Sequence, residues 1–302
     1  MLSSNAEHFY WLSRYAERAE NTARLLNVNL ELMLDFPGDK STALQPVIEI
    51  TGNSDLFKSK YSSYNHINVM NFLGYDKNNP NSIFSSLLQA QFNSKYIRDN
   101  LPKESSEQLN LLIDEFIKVN ASKSIRKRTS LINKTISNIQ LFFGNISDNY
   151  FIGTEYQFIK IGRFIERGDM ISRIIDAQCI KEDKFIIDEE FPTLQWTSIL
   201  RSLSAYEAYR ISKRTISRSN IINFLIKNDG FSKSILRCTN NVNQALNNLP
   251  RSKAVKLRIK KYRKSILRAR TENYSDSQLH DFMDFIQRRI LEIDKTISAN
   301  YF

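Results

Sequence analysis

Glycine and proline are scarce here, 8 and 6 among 302 residues. Each disfavours a helix interior, by roughly 1 and 3 kcal/mol per position, so their rarity argues against a turn-rich strand protein and for long helices. Cysteine is scarcer still. Cys179 and Cys238 stand alone, with no Cys-x-x-Cys spacing and no histidine close by, so neither a disulfide framework nor a zinc site is expected. A reducing cytoplasm is the compartment that fits. No apolar run approaches the ~20 residues that cross a bilayer. The opening Met1-Leu2-Ser3-Ser4-Asn5-Ala6-Glu7 has neither a basic leader nor an apolar core, so neither a signal peptide nor membrane insertion is expected.

The usual signatures of chemistry are also missing. A carboxylate-bridged metal centre in a bundle would need Glu-x-x-His. The residues three places before His8, His66 and His280 are Asn5, Ser63 and Ser277. Glycines do not cluster as a phosphate loop requires, and no Ser or Cys sits in a nucleophile pattern. No metal and no cofactor is expected, and the two cysteines read as small buried apolar groups.

What is present is a core-forming share of 41% hydrophobic residues, 25% charged residues and a formal net charge of +11. No segment alternates with period two, so an all-α fold is expected. The chain also repeats itself. Arg14-Tyr15-Ala16-Glu17-Arg18-Ala19-Glu20 returns as Arg163-Phe164-Ile165-Glu166-Arg167-Gly168-Asp169, and Arg24-Leu25-Leu26 as Arg173-Ile174-Ile175, at an offset of 149 residues. The register continues through Leu44-Gln45 and Leu194-Gln195, Phe72-Leu73 and Phe224-Leu225, Ser82-Ile83 and Ser234-Ile235, and Asn100-Leu101-Pro102 and Asn248-Leu249-Pro250. It closes with Ile146–Phe151 against Ile297–Phe302. Two tandem, pseudo-symmetric helical repeats, residues 1–151 and 152–302, packed into a helical bundle, are therefore expected.

Within each repeat the breakers predict a long first helix, several short helices, then longer ones. The first helix, 4–35, should stop at Phe36-Pro37-Gly38, since Pro and Gly follow helix ends. Short segments are expected over 42–73, and helices near 81–100, 104–120 and 123–145. In the second repeat the long helix falls at 151–180, short ones lie between 192 and 226, and longer ones near 231–248, 251–271 and 276–299.

On a helical wheel Leu12, Tyr15, Ala16, Ala19, Ala23 and Leu26 form one apolar stripe, whose alanines permit close helix approach. Arg14, Glu17, Arg18, Asn21 and Arg24 share a separate arc, matched by Arg163, Glu166, Arg167, Met170 and Arg173, with Asp169 beside them. As exposed intrahelical pairs, Arg14 with Glu17, Glu20 with Arg24 and Asp169 with Arg173 would each add only about 0.2–0.5 kcal/mol. Yet every basic position is Arg rather than Lys, the side chain suited to planar two-point contact with carboxylate or phosphate. Three readings stay open: a solvated face, a buried Glu17/Arg18/Glu166/Arg167 network fixing the packing of the halves, and an anion-binding site.

The most basic stretch, Arg251 to Arg270, sets Val255, Ile259, Tyr262 and Ile266 at helical spacing beneath Lys256, Lys260, Lys261, Arg263 and Lys264. Its counterpart, Lys103 to Asn120, carries Glu104, Glu107, Asp114 and Glu115 instead. A basic helix suits anionic partners through unspecific backbone contact. Base readout would need amides or aromatics on that face, so nucleic acid is a remote partner.

The run Phe9-Tyr10-Trp11-Leu12-Ser13-Arg14-Tyr15-Ala16-Glu17-Arg18-Ala19-Glu20-Asn21-Thr22-Ala23-Arg24, with Gly162-Arg163-Phe164-Ile165-Glu166-Arg167, Asn79-Pro80-Asn81-Ser82-Ile83 and the closing Tyr301-Phe302, resembles the bacterial alpha-E domain family over essentially the whole chain. The resemblance implies an accessory or scaffold role beside an ATP-grasp-type carboxylate-amine ligase or a transglutaminase-like peptidase, in a system that forms or processes peptides. It implies no catalytic residue. Where relatives show Ala-Arg-Glu-Asn, this chain has Ala90-Gln91-Phe92-Asn93, which would weaken any site there.

Overall fold

The computed structural model describes residues 3–33, 44–122, 124–181, 192–212 and 215–302. The expected stop at Phe36-Pro37-Gly38 lies outside them. Among the described residues the regular structure is helical throughout, with no strand, as expected. The chain divides into two compact units, Met1–Arg163 and Phe164–Phe302. The sequence repeat places the division earlier, between residues 151 and 152; the structural division falls inside a continuous helix.

The first unit is built around α1 (Ser3–Leu32). Its Phe9, Leu12, Ala16, Ala19, Ala23 and Leu26 are fully buried. Tyr15, placed on that stripe by the wheel, is only half-buried, with the Arg18 guanidinium over its ring, 5.4 Å away. Alanine at three contact positions leaves room for α5 (Ile83–Tyr96) and α7 (Ile125–Asn149), both packed against α1. α6 (Lys103–Ser122) runs beside α7. On α6 Leu109, Leu112, Ile113 and Phe116 turn inward, and on α7 Leu131, Ile132, Ile139, Phe142 and Ile146 do the same.

Three short helices, α2 (Gln45–Thr51), α3 (Ser54–Lys60) and α4 (His66–Met70), and a π-helical turn over Asn71–Tyr75 complete this unit. A turn centred on Asn79 ties them together. Its buried amide donates to the Phe72 carbonyl at 3.0 Å and accepts from Asn53 Nδ2 at 2.8 Å and from the Asn81 backbone N–H at 3.0 Å. Asn81 Nδ2 in turn donates to the Thr51 carbonyl, and Ser82 caps α5 by accepting from the Ser85 N–H. The Asn-Pro-Asn-Ser segment is thus a folding hub, using amides to satisfy backbone groups that short helices leave open.

α8 (Thr154–Lys181) begins in the first unit and ends in the second. The second unit continues with α9 (Pro192–Ser202), α10 (Tyr206–Ile211), α11 (Arg218–Lys227), α12 (Ile235–Asn247), α13 (Lys253–Arg268), a 3-10 turn at Thr271–Asn273 and α14 (Asp276–Tyr301). Ser275 opens α14 with a capping box to Gln278. The turn between α12 and α13 holds Arg251 at φ 54°, a left-handed conformation that costs a non-glycine residue about 1–2 kcal/mol. The end of α14 braces it: Tyr301 Oη donates to the Pro250 carbonyl at 2.9 Å and Asn300 Nδ2 to the Arg251 carbonyl at 2.6 Å. The closing Tyr301 is therefore an anchor for the α12–α13 hairpin. Both cysteines are buried, as expected.

Candidate functional site

Most of the Glu-Arg ridge of α1 is buried, with Arg18 and Arg24 half-buried. Glu17 has no exposure, Glu20 is 2% exposed, and Arg14 and Asn21 are each 8% exposed. The reason begins at Gly162. A methyl group there would sit 2.3 Å from Ser13 Oγ and 2.4 Å from the Tyr10 carbonyl oxygen, so α8 meets α1 almost backbone to backbone. Ser13 Oγ donates to that same carbonyl at 2.8 Å. Positions that the 149-residue offset equates, Ser13 and Gly162, thus touch one another.

This approach carries the next residue, Arg163, onto Glu17: its Nε donates to Glu17 Oε2 at 3.1 Å. The guanidinium stacks on the Phe143 ring of α7, 3.8 Å from its centre, where cation–π attraction adds to the ion pair. A carboxylate sealed from water needs such a partner, because an uncompensated buried charge is strongly unfavourable.

The rest of the ridge is similarly engaged. Glu20 Oε1 accepts from Arg24 at 2.7 Å and from Gln140 Nε2 at 3.4 Å. Arg14 lies over the rings of Tyr10 and Trp11 and reaches the Tyr10 hydroxyl. Arg18, half-buried, donates to Asn81 Oδ1 at 3.4 Å, linking α1 to the Asn79 hub. The Nδ2 of Asn21 is buried with no hydrogen-bond partner among the described residues. In the second unit Glu166 and Arg167 are buried, at 3% and 6% exposure, with Arg167 over Phe164. Asp169 and Arg173 pair at 2.8 Å with both side chains partly in water.

The basic helix keeps its expected stripe: Val255, Ile259, Tyr262 and Ile266 are buried. Lys260, Lys261, Arg263 and Lys264 are exposed and Lys256 is half-buried. These cations do not all face the same groove. Lys256, Lys260 and Arg263 line a groove against α12, whereas Lys261 and Lys264 do not.

Sequence spacing gives no sign of a second cluster. Asp176 of α8, with His280 and Asp284 of α14, brings donor atoms within 4.8 Å of one another, a set of the type that divalent transition metals take. His280 Nδ1 and Asp176 Oδ1 are 2.6 Å apart, and Gln287 Nε2 donates to the other carboxylate oxygen. The hydrogen bond to Asp176 raises the His280 pKa, with Asp284 and Asp281 adding to it. Burial raises that of Asp176. The Gln91 and Phe92 positions that depart from the family pattern lie toward the surface, where Gln91 donates to Asn110. Asn93 is buried, and its Oδ1 lies 2.9 Å from His8 Nδ1.

Helices throughout the described residues, with the Glu17 carboxylate of a Glu-Arg pair buried where α8 crosses α1 and its Arg18 half-buried beside it, define a helical domain marked by that motif. The chain belongs to the Alpha-E family, described as a predicted alpha-helical domain with a conserved ER motif, whose model matches residues 1–302. In this chain the Glu-Arg pair is Glu17-Arg18, with Glu166-Arg167 at the 149-residue offset. No curated protein and no solved structure matches the chain. No helix among the described residues is long and apolar enough to cross a membrane.

Proposed function

We propose that this protein is a non-catalytic accessory or scaffold, assisting an ATP-grasp-type carboxylate-amine ligase, a transglutaminase-like peptidase, or both, in forming or processing peptides. One observation supports it most: Glu17 of the Glu-Arg motif has zero exposure and is engaged by Arg163. A carboxylate in that position cannot reach a dissolved substrate without opening the α1–α8 crossing. Its chemistry is that of a helix fastener. The ligase and peptidase partners come from the family resemblance, and the cytoplasm is the compartment proposed for the complex.

The test combines the purified chain with the ligase and the peptidase-like protein of its own source. Co-elution with either, and a change in that enzyme's turnover on adding the chain, are expected. The chain alone should neither hydrolyse ATP nor cleave or join peptides. Turnover by the chain alone, or titration heat with ATP or amino acids that disappears in Glu17→Gln, would favour an anion-handling site at the ridge and overturn the accessory reading.

A further inference from the structure

The groove between α12 and α13 holds ≈ 530 Å³ and is lined by Asn240, Asn243, Gln244 and Asn247 on one wall, Lys256, Lys260 and Arg263 on the other, with Ile259 at its floor. We propose that it binds an acidic peptide segment in extended conformation. The assignment goes beyond the accessory reading and does not require it, since it names the ligand's chemistry whichever protein carries the segment.

The two walls are ordered rows. Residues 240, 243, 244 and 247 fall at i, i+3, i+4 and i+7 on α12, and 256, 260 and 263 at i, i+4 and i+7 on α13. Each row therefore follows one helix face for about 10 Å, at about 1.5 Å per residue, the length of roughly three extended residues. Packing enforces the separation: α12 buries Ile235, Leu236, Cys238, Thr239, Val242, Ala245 and Leu246, which turns its amides outward toward the cations.

A primary amide both donates and accepts, so a row of them matches the alternating N–H and C=O groups of an extended backbone. A row of cations matches carboxylate side chains, and the described residues lining the groove include no acid. One end is already fixed: Arg263 Nε donates to Asn240 Oδ1 at 2.8 Å, and Asn240 Nδ2 donates to Asp229 at 2.7 Å. Nucleic acid fits less well, because that lining has no aromatic side chain on which a base would stack. The Arg251 turn that joins the two walls is tethered to the end of α14 by Asn300 and Tyr301.

The experiment is fluorescence anisotropy of the full chain with a labelled oligoglutamate about six residues long, enough to span the groove, against oligoglutamine and single-stranded RNA of similar length. Oligoglutamate should bind, and oligoglutamine about tenfold more weakly or less. Lys256→Gln with Lys260→Gln should weaken binding and flatten its salt dependence. Asn243→Ala with Asn247→Ala should cost about fivefold through lost amide hydrogen bonds, with the salt slope unchanged. All these positions are exposed or half-buried, and circular dichroism verifies that the variants fold. Tighter binding of RNA, an asparagine pair without effect on oligoglutamate, or no binding of oligoglutamate would each overturn the proposal. None of these results bears on whether the chain co-elutes with a ligase or peptidase.

Discussion

α1 and α13 carry charge at the same helical spacing, yet α1 buries the greater part of its Glu-Arg ridge and α13 leaves most of its cations in water. On α1, Arg14, Glu17, Arg18 and Arg24 are interspersed with alanines that let other helices close in, and the charges are absorbed into pairs, ring contacts and amides. On α13 the charges are of one sign, lysines outnumbering arginines, and the helix buries only a narrow stripe. Periodicity thus locates a polar face without saying whether it is wet. Residue choice says more: mixed charge, Arg over Lys and small neighbours mark a face that will be packed, because both signs are needed to neutralise a buried ridge.

The sharpest way to break this contrast is Glu17→Ala. It leaves Arg163 without its carboxylate, and loss of one member of a buried pair costs about 3–5 kcal/mol. The lower end is expected, since Arg163 keeps 27% side-chain exposure and its contact with Phe143. Lys260→Ala on α13 should stay within about 0.5 kcal/mol of the parent, as surface substitutions do. Urea melts of both variants measure the difference. Equal effects would mean that the α1 ridge is as wet as the α13 face.

Next in size is Gly162→Ala. Helix propensity alone would favour alanine by up to about 1 kcal/mol, but the added methyl would lie 2.4 Å from a backbone oxygen that cannot swing aside. The clash decides the sign, and destabilisation of about 1–3 kcal/mol is expected. A gain in melting temperature would show that α8 does not press on α1. At Gly168, by contrast, a methyl would meet only side-chain atoms at 3.7 and 3.8 Å, so Gly168→Ala is the matched control and should be neutral or stabilising.

The Asp176–His280 pair lies between the two extremes of burial and tests them through pH. Both folded-state pKa values are raised, His280 above 6.5 by its hydrogen bond to Asp176 and Asp176 above 3.8 by burial. The folded protein therefore holds these protons more firmly than the unfolded chain. The His280 contribution is complete below pH 6.5 and is lost as pH rises through the raised value. Stability should accordingly fall as pH rises past 6.5, and His280→Ala should flatten that portion of the profile. Asp176→Asn should bring the imidazole titration, followed by NMR, back toward 6.5.

Much of the fold is legible in the sequence, because helices are local. The breakers at Asn100-Leu101-Pro102 and Asn248-Leu249-Pro250 mark real turns, and the buried stripe of α13 falls where its spacing puts it. The candidate site is legible only in part. The ridge can be seen, but its burial depends on Gly162, which the motif contains without revealing its role; a glycine inside an otherwise unbroken helical pattern is the available signal. The amide row of α12 gives no signal in sequence, since its meaning arises only when α13 lies alongside. Asp176 and His280, 104 residues apart, share no local pattern at all.

The smallest effect is expected where the solvated-pair reading of the sequence holds. Asp169 and Arg173 are one helical turn apart, 2.8 Å between Nε and Oδ2, with side chains 19% and 38% exposed. Water competes for both groups, and holding the long arginine in one rotamer offsets part of the Coulomb attraction. Asp169→Asn should therefore cost about 0.2–0.5 kcal/mol and lose even that in high salt, whereas the cost of Glu17→Ala should be nearly insensitive to salt because that carboxylate meets its partner without intervening solvent. A salt titration of the two variants separates buried from wet ionic pairs without reference to their absolute stabilities, and a common salt dependence would show that the two environments are the same.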